Sequence, residues 1–410
     1  MTCTDLHTSM TSVQPKPEYP GKLLQAASIA KPFQESIQSE IKIRKDKNLP
    51  VPKLVGILAK PNPPSMAYAE WTANACQAVG INFEIWKTWD DSVDVTESQR
   101  DDSQSLQNFD LEADVEDLIL AANRDKSVDG IMVYYPIFGG RQDTYLQQIV
   151  DPRKDVEGLH FFYCWNMYHN VRWIKPSQLG RSPGTSNEAD LRGLDSNVLD
   201  EDNVPPGFCK SILPCTPLAV VKSLEAVGVY DTKLPYGDRL YGKTITVVNR
   251  SEVVGRPLAA LLANDGARVF SVDIDSIVEF NKRRDGDSVS TVVSGYKKSR
   301  EVIEAHEQNS SARLRSSHVV RASPFQDSES CIRSSDVVIG GVPAASFKIP
   351  TDWIKQDAIC INFSSEKNFE PNVRSRASAY LPAIGKVTVS MLQRNLLRLV
   401  EYKEMAQQSS

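Results

Sequence analysis

No apolar run in this chain approaches the roughly 20 residues that a membrane-spanning helix needs, which excludes a bilayer as its setting. Histidine is scarce. The five present (His7, His160, His169, His306 and His318) show no metal-ligand spacing, so a zinc site has no basis and no metal is expected. The seven cysteines (Cys3, Cys76, Cys164, Cys209, Cys215, Cys331 and Cys360) are odd in number, scattered and without a CxxC. Several lie in apolar surroundings, as reduced, buried thiols of a cytosolic protein do. Positive charge is not in excess either. A net charge of −5 without a basic stripe excludes nucleic acid as a partner. Met1 to Pro20 is polar, includes Asp5, and no arginine precedes Arg44. That composition argues against a secretory signal and a mitochondrial presequence, and the expected location is the cytoplasm. An intact GxGxxG is also missing.

What is present is ordinary globular composition, 41% hydrophobic and 24% charged, at a length of 410 residues that suits two domains with insertions. Ile29, Phe33, Ile37 and Ile41 recur every fourth residue and mark an amphipathic helix despite Pro32. Leu54–Leu58, Phe83–Trp86 and Gly130–Tyr135 read as strands, the last ended by Pro136. Helices at Met66–Val79, stopped by Gly80, and at Val115–Ala122 alternate with them. Such βαβαβ alternation predicts an α/β domain with a parallel sheet. From Arg172 to Pro206 periodicity gives way to Gly, Pro, Ser and Asp, the mark of an insertion or surface loop. Pro214-Cys215-Thr216-Pro217 precedes a helix at Leu218–Val227 and is the best hinge candidate.

Next comes the most informative stretch. Ile245–Val248 reads as a buried parallel strand, Val254–Leu262 as a helix whose first amides face a pyrophosphate, and Ala267–Val272 as the next strand. Where a dinucleotide fingerprint needs glycine for its tight turn, the chain has Asn249, the residue type that most readily enters the left-handed region without being glycine. Arg250 and Ser251 then offer donors to a phosphate or a ribose. Asp273 follows Gly255 by 18 residues. A carboxylate at about that distance accepts hydrogen bonds from the adenosine ribose and repels a 2′-phosphate, which predicts NAD over NADP. Lys282–Ser330 is polar and Ser-rich, a second insertion with one short helix expected at Arg300–Glu307. Ser335–Gly341 and Ala358–Phe363 read as later strands, and Val389, Leu392, Leu396, Leu399 and Val400 as the apolar face of a C-terminal helix.

Asn249-Arg250-Ser251-x-x-Val254-Gly255-x-Pro257, with Pro214-Cys215-Thr216-Pro217 before it and Lys154-Asp155-Val156-Glu157-Gly158-Leu159 earlier, resembles the methylenetetrahydrofolate dehydrogenase/cyclohydrolase family. The similarity runs from Leu23 to Val400 outside the two insertions and is strongest to the monofunctional, NAD-dependent fungal branch. It implies an α/β protein of two domains, a folate-binding one and a Rossmann-type NAD-binding one, both with parallel sheets. The folate domain would comprise residues 1–215 with 386–410, interrupted by the insertion at 171–207. The NAD domain would comprise 216–385, interrupted at 282–330. The resemblance further implies a folate substrate and a homodimer. Tyr68 resembles the tyrosine that stacks on folate, while Asp155 and Glu157 match an Asp-Val-Asp whose second residue binds the pterin. Arg250, Ser251, Gly255, Arg256, Asp273 and Ile274 would carry the dinucleotide, with Gly340, Gly341, Val342, Thr388 and Val389 as later contacts.

Two departures matter. Bifunctional members have a lysine four residues after the tyrosine and a glutamine before the proline of the third strand, where this chain has Thr72 and Tyr134. Hydrolysis needs a group that activates water and handles its proton. Hydride transfer from a carbon between two folate nitrogens needs alignment and electrostatics instead. The expected activity is therefore NAD-dependent oxidation of 5,10-methylenetetrahydrofolate to 5,10-methenyltetrahydrofolate without cyclohydrolase activity. The alternatives are a bifunctional dehydrogenase/cyclohydrolase and a non-catalytic folate- or nucleotide-binding protein. Cys215 matches a cysteine regarded as an active-site residue in the monofunctional branch, and a small buried hydrophobe is its equal alternative. His160 and His169 flank the aromatic segment Phe161–Tyr168 and are read as packing.

Overall fold

The computed structural model describes residues 20–89, 104–179, 204–283 and 317–408. It opens with β1 (Lys22–Leu23) and α1 (Ala26–Asp46), then alternates through β2 (Lys53–Leu58), α2 (Pro63–Val79), β3 (Asn82–Lys87), α3 (Gln104–Arg124) and β4 (Gly130–Val133). The chemistry of α2's ends sets its limits. Asn62 Oδ1 accepts from the Ser65 amide at 2.9 Å, two prolines occupy the first turn, and Gly80 closes the helix at φ 85°. The three strands form a parallel sheet in the order β3-β2-β4. β2 is buried on both faces. Leu54 and Leu58 pack with Ile37 and Cys76, whereas Val55 and Ile57 pack with Val115, Ile119 and Leu146. The third strand stops at Val133, two residues short of the expected end: the Tyr134 amide still donates to the Ile57 carbonyl of β2 at 3.1 Å, but the Tyr135 amide turns back to the Val133 carbonyl at 2.9 Å before Pro136.

The chain continues through α4 (Gly140–Ile149), α5 (Phe161–Tyr168), the short antiparallel pair β5 (Trp173–Ile174) and β6 (Cys209–Lys210), and α6 (Cys215–Ala226). The expected loop at 172–206 thus begins beside a small hairpin-like pair, and most of that loop lies outside the described residues. Next come β7 (Thr244–Val248), α7 (Gly255–Asn264), β8 (Arg268–Val272), β9 (Ile277–Lys282), β10 (His318–Ala322), α8 (Ser328–Ser334), β11 (Val337–Gly340), β12 (Ile359–Asn362), β13 (Ala379–Leu381) and α9 (Gly385–Gln408). The second sheet has the order β1-β13-β12-β11-β7-β8-β9-β10, parallel except for β9 and β10. From β7 the chain steps to β8 on one side and returns to β11 on the other. The gap beyond the C-terminal ends of β7 and β11 is therefore the topological switch point, where open α/β sheets bind ligands.

Two expectations about organisation are corrected. The segment 282–330 is not simply an insertion: His318–Ala322 pairs antiparallel with β9 because Val319 and Val320 meet Asn281 and Phe280 across the ladder. Lys22–Leu23, assigned to the first domain, lies on the far edge of the second sheet, where Lys22 aligns with Ala379 and Leu23 with Tyr380. The short helix expected at Arg300–Glu307 lies outside the described residues. α9 buries Val389, Leu392, Leu396, Leu399 and Val400 as expected, and its Leu396 shares one core with Leu224 of α6 and Leu258 of α7. No helix of the described residues is long and apolar enough to cross a membrane. Nor do they hold a group of three or more His, Cys, Asp or Glu placed for a metal.

Candidate active site

The nucleotide half is built around one left-handed residue. Asn249 leaves β7 at φ 96°. Its side-chain amide donates to the Gly341 carbonyl at 2.5 Å, and its Oδ1 accepts from the Ser251 amide at 2.9 Å. One asparagine thus tolerates the turn geometry and ties it to the end of β11. Gly255 must be glycine, since a Cβ there would stand 1.8 Å from the Asn249 carbonyl oxygen. At Gly341 a Cβ would stand 1.7 Å from the Phe363 ring, so that side chain would have to move. The expectation for the helix amides needs correction. Ser251 Oγ accepts from the Val254 and Gly255 amides at 3.3 and 3.2 Å, so the chain itself satisfies the start of α7. Among the described residues the Arg250, Glu252 and Val253 amides have no backbone or side-chain partner, so they are free to donate to a phosphate. A tight turn at the switch point, a glycine cradle that any Cβ would fill and a carboxylate at the end of β8 together fit a dinucleotide.

Asp273 stands just past β8 and accepts from the Ile274 amide at 3.0 Å. Ile274 is 96% exposed beside it, an apolar side chain without packing of its own. Val342 donates its amide to Asn368 Oδ1 at 2.7 Å, which fixes the loop after β11. Three expected contacts are not brought to this crevice by their side chains. Arg256 pairs with Glu252 at 3.0 Å and lies 5.6 Å from the centre of the Tyr168 ring. Thr388 donates to the Ile384 carbonyl one turn earlier at 3.4 Å, and Val389 is buried in the core.

The other half gathers Tyr68, Tyr134, Glu157 and Cys215. Tyr68 projects from α2 with 38% of its surface exposed, its ring stacked on Trp71 at 5.7 Å and edge-on to Tyr134 at 5.9 Å. Burial of its phenol, then the facing Cys215 and Glu157 groups, hold its pKa well above the usual tyrosine value. Asp155 turns inward. Its carboxylate accepts from the amides of Glu157 (3.1 Å), Gly158 (2.9 Å) and His160 (2.8 Å), which makes it the organiser of the turn and not a group presented to a ligand. Burial raises it to about 6, with those backbone donors opposing. Glu157 faces the cluster instead. One oxygen accepts from the Val133 amide at 2.9 Å, and burial, then the backbone's opposing hydrogen bond and the Asp155 charge, leave its pKa at about 8.

Cys215 is fastened to the same turn, its amide donating to the Glu157 carbonyl at 3.0 Å. Gly158 makes that contact possible, because a Cβ there would press to 2.8 Å on the Leu213–Pro214 backbone. Burial first, and then Glu157, push the Cys215 thiol up to about 12, so it is no thiolate at neutral pH. Thr72 is fully buried, with its hydroxyl donated to the Tyr68 carbonyl at 2.8 Å. Tyr134 is buried as well, its hydroxyl without a hydrogen-bond partner among the described residues. Asn395 escaped sequence reasoning. From α9 it donates to the Val156 and Leu213 carbonyls at 2.9 and 3.0 Å and binds the two segments that carry Glu157 and Cys215. A polar residue amid the apolar stripe of a C-terminal helix was the available signal.

Fold and site together define a two-body α/β protein with a crevice that fits a dinucleotide and a separate cluster of aromatic and weakly ionised side chains, the layout of a nicotinamide-dependent oxidoreductase. Residues 24–157 match the family described as tetrahydrofolate dehydrogenase/cyclohydrolase, catalytic domain, and residues 214–297 match its NAD(P)-binding domain. The chain is 39% identical over 392 residues to the methylenetetrahydrofolate dehydrogenase [NAD(+)] of Saccharomyces cerevisiae, covering 95% of this chain and 99% of that one. It is also 39% identical to the protein of the same name from Schizosaccharomyces pombe, over 95% of this chain and 96% of that one. The solved structure of the NAD-dependent 5,10-methylenetetrahydrofolate dehydrogenase from Saccharomyces cerevisiae superposes with a TM-score of 0.71 at 38% identity, covering 95% of this chain and 99% of that one. The chain belongs to the tetrahydrofolate dehydrogenase/cyclohydrolase family.

Proposed function

We propose that the chain oxidises 5,10-methylenetetrahydrofolate to 5,10-methenyltetrahydrofolate with NAD and does not carry out the hydrolytic step of the bifunctional members. The observation that carries the second half is the state of Thr72 and Tyr134. The threonine hydroxyl is buried and committed to a backbone carbonyl, and the tyrosine offers a phenol that burial keeps protonated. Neither group activates water near neutral pH. Nor does the cluster hold a thiolate that hydride transfer would leave idle, since Cys215 stays protonated.

Tyr68 supplies a half-exposed ring face for the pterin, and Glu157 a carboxyl whose second oxygen is left for the pterin's polar edge. Cys215 contributes contact and shape. Asn249, Gly255 and Gly341 shape the crevice for the dinucleotide, while Arg250, Ser251, Asp273 and Ile274 border it. NAD, when bound, accepts the hydride. We assign residues 1–215 with 386–410 to the folate-binding body and 216–385 to the NAD-binding body, with β1 lent to the latter's sheet. The reading includes a homodimer in the cytoplasm, which the six described cysteines, all free thiols, support as to location.

The test is a turnover assay on the purified full chain with methylenetetrahydrofolate and either NAD or NADP, following the reduced cofactor, methenyltetrahydrofolate and formyltetrahydrofolate. Methenyl product accumulating with NAD is the expected result. Formyl product above the spontaneous rate would sink the reading of Thr72 and Tyr134, and no turnover with either cofactor would leave a binding protein.

A further inference from the structure

Arg250 belongs to the turn after β7, yet its guanidinium is fastened to the turn after β8. Nη2 donates to the Ser276 carbonyl at 2.9 Å and to the Ser276 hydroxyl at 2.6 Å, while Nε lies 3.7 Å from Asp273 Oδ2. Only 14% of the Arg250 side chain is exposed, against 41% for Asp273. The turn it closes is held from within as well, the Asp273 amide donating to the Ser276 carbonyl at 3.0 Å. An arginine beside the ribose carboxylate is the general means by which a dinucleotide site accepts a 2′-phosphate, and a guanidinium's planar fork of donors suits phosphate oxygens. In this chain that fork already has partners.

We propose that Ser276 is a specificity-determining residue for the cofactor: with Asp273 it holds the Arg250 guanidinium against the β8–β9 turn and withholds it from a 2′-phosphate. NAD preference then has two sources, a carboxylate that repels the phosphate and an arginine already engaged. The proposal rests on the assignment of Asp273 to the adenosine ribose. It separates the two roles of Asp273, because removing the Ser276 hydroxyl loosens Arg250 while leaving the carboxylate in place. The Ser276 carbonyl still accepts from Arg250, so the release is partial.

The experiment is calorimetric titration of the full chain with 5′-AMP and with adenosine 2′,5′-bisphosphate, which reads binding without turnover. Ser276→Ala is expected to shift the affinity ratio toward the bisphosphate by about three- to tenfold, the scale of one ordinary hydrogen bond, since the release is partial. AMP affinity should change less than about twofold, and Ser276→Thr, which keeps the hydroxyl, should hold the wild-type ratio. Adding Arg250→Ala to Ser276→Ala should abolish the gain. A ratio that stays within about twofold in Ser276→Ala, or a gain that survives loss of Arg250, overturns the proposal. Asp273→Ser in the same titration keeps the two readings apart. If it favours the bisphosphate and Ser276→Ala does not, the ribose assignment stands and the role of Ser276 falls. If neither moves the ratio, the ribose assignment itself falls.

Discussion

Asp155 and Glu157 stand two residues apart, and the turn between them sends one carboxylate into the backbone and the other toward Tyr68 and Cys215. The motif around them stands out in the sequence. Which carboxylate is presented does not, because that depends on three amides converging on Asp155 in the folded turn. The raised pKa of Glu157 yields a prediction with a definite sign. A carboxyl moved from 4.5 to about 8 holds its proton more tightly in the folded than in the unfolded chain. Its contribution to stability therefore becomes steadily less favourable as pH rises from 4.5 to about 8, and is constant above. Glu157→Gln keeps an oxygen for the Val133 amide and removes the titration. The variant should gain stability relative to wild type by on the order of 1 kcal/mol between about pH 6 and about pH 8, in urea unfolding at both. A difference independent of pH would mean that Glu157 is ionised throughout.

At the scale of elements, the β7–α7–β8 unit could be read from sequence because everything defining it is local: a β-branched run, a left-handed Asn249, and Gly255 ahead of an apolar helix. β9 and β10 could not. Their partners are separated by residues 283–317, so no turn signal joins them, and only the ladder between Ile277–Lys282 and His318–Ala322 makes them strands. β1 is two residues long, and nothing within it announces that it will pair with β13. The start of α7 lends itself to test. Gly255→Ala places a methyl 1.8 Å from the Asn249 carbonyl oxygen, backbone that cannot yield without unmaking the turn. The variant should lose about 1–3 kcal/mol of stability and bind NAD at least about tenfold more weakly. Gly385→Ala, at the open start of α9 with nothing within 4 Å, is the control and should be close to neutral. Thermal unfolding and a fluorescence titration with NAD read both effects; equal behaviour of the two variants would dismiss the close approach as a determinant.

Across the whole molecule, the sequence pattern located two bodies but not the contacts that hold them at an angle, since those join residues far apart in the chain. Beyond α5, Arg172 donates to Asp265 Oδ1 at 2.6 Å, and the Tyr230 hydroxyl donates to the other oxygen at 3.0 Å. Next to this pair, Asn264 donates to the Met167 carbonyl at 3.0 Å. The C-terminal end of the nucleotide-binding helix α7 is thereby fixed to the segment that follows the Glu157 turn. A cavity of about 120 Å³ lies alongside, bordered by Arg172, Tyr230, Tyr236 and Asp265. With 18% and 15% of their side chains exposed, Arg172 and Asp265 are shielded enough that breaking the pair leaves a poorly solvated charge. Arg172→Met should therefore cost about 3–5 kcal/mol, because Asp265 loses the guanidinium that pairs with it at 2.6 Å. Arg172→Met with Asp265→Leu should recover part of that loss, since no charge is then stranded. Chemical denaturation of the two variants measures the stability terms. Catalysis adds a second expectation, because hydride transfer demands reacting carbons within roughly 3–3.5 Å of each other, and the proposed function puts the two ligands on different bodies. The double variant, folded but without its link, should show kcat reduced more than either KM is raised. Unaltered kcat in a variant of normal stability would mean that the remaining contacts, Asn264 with Met167 among them, hold the two bodies without the Arg172–Asp265 pair.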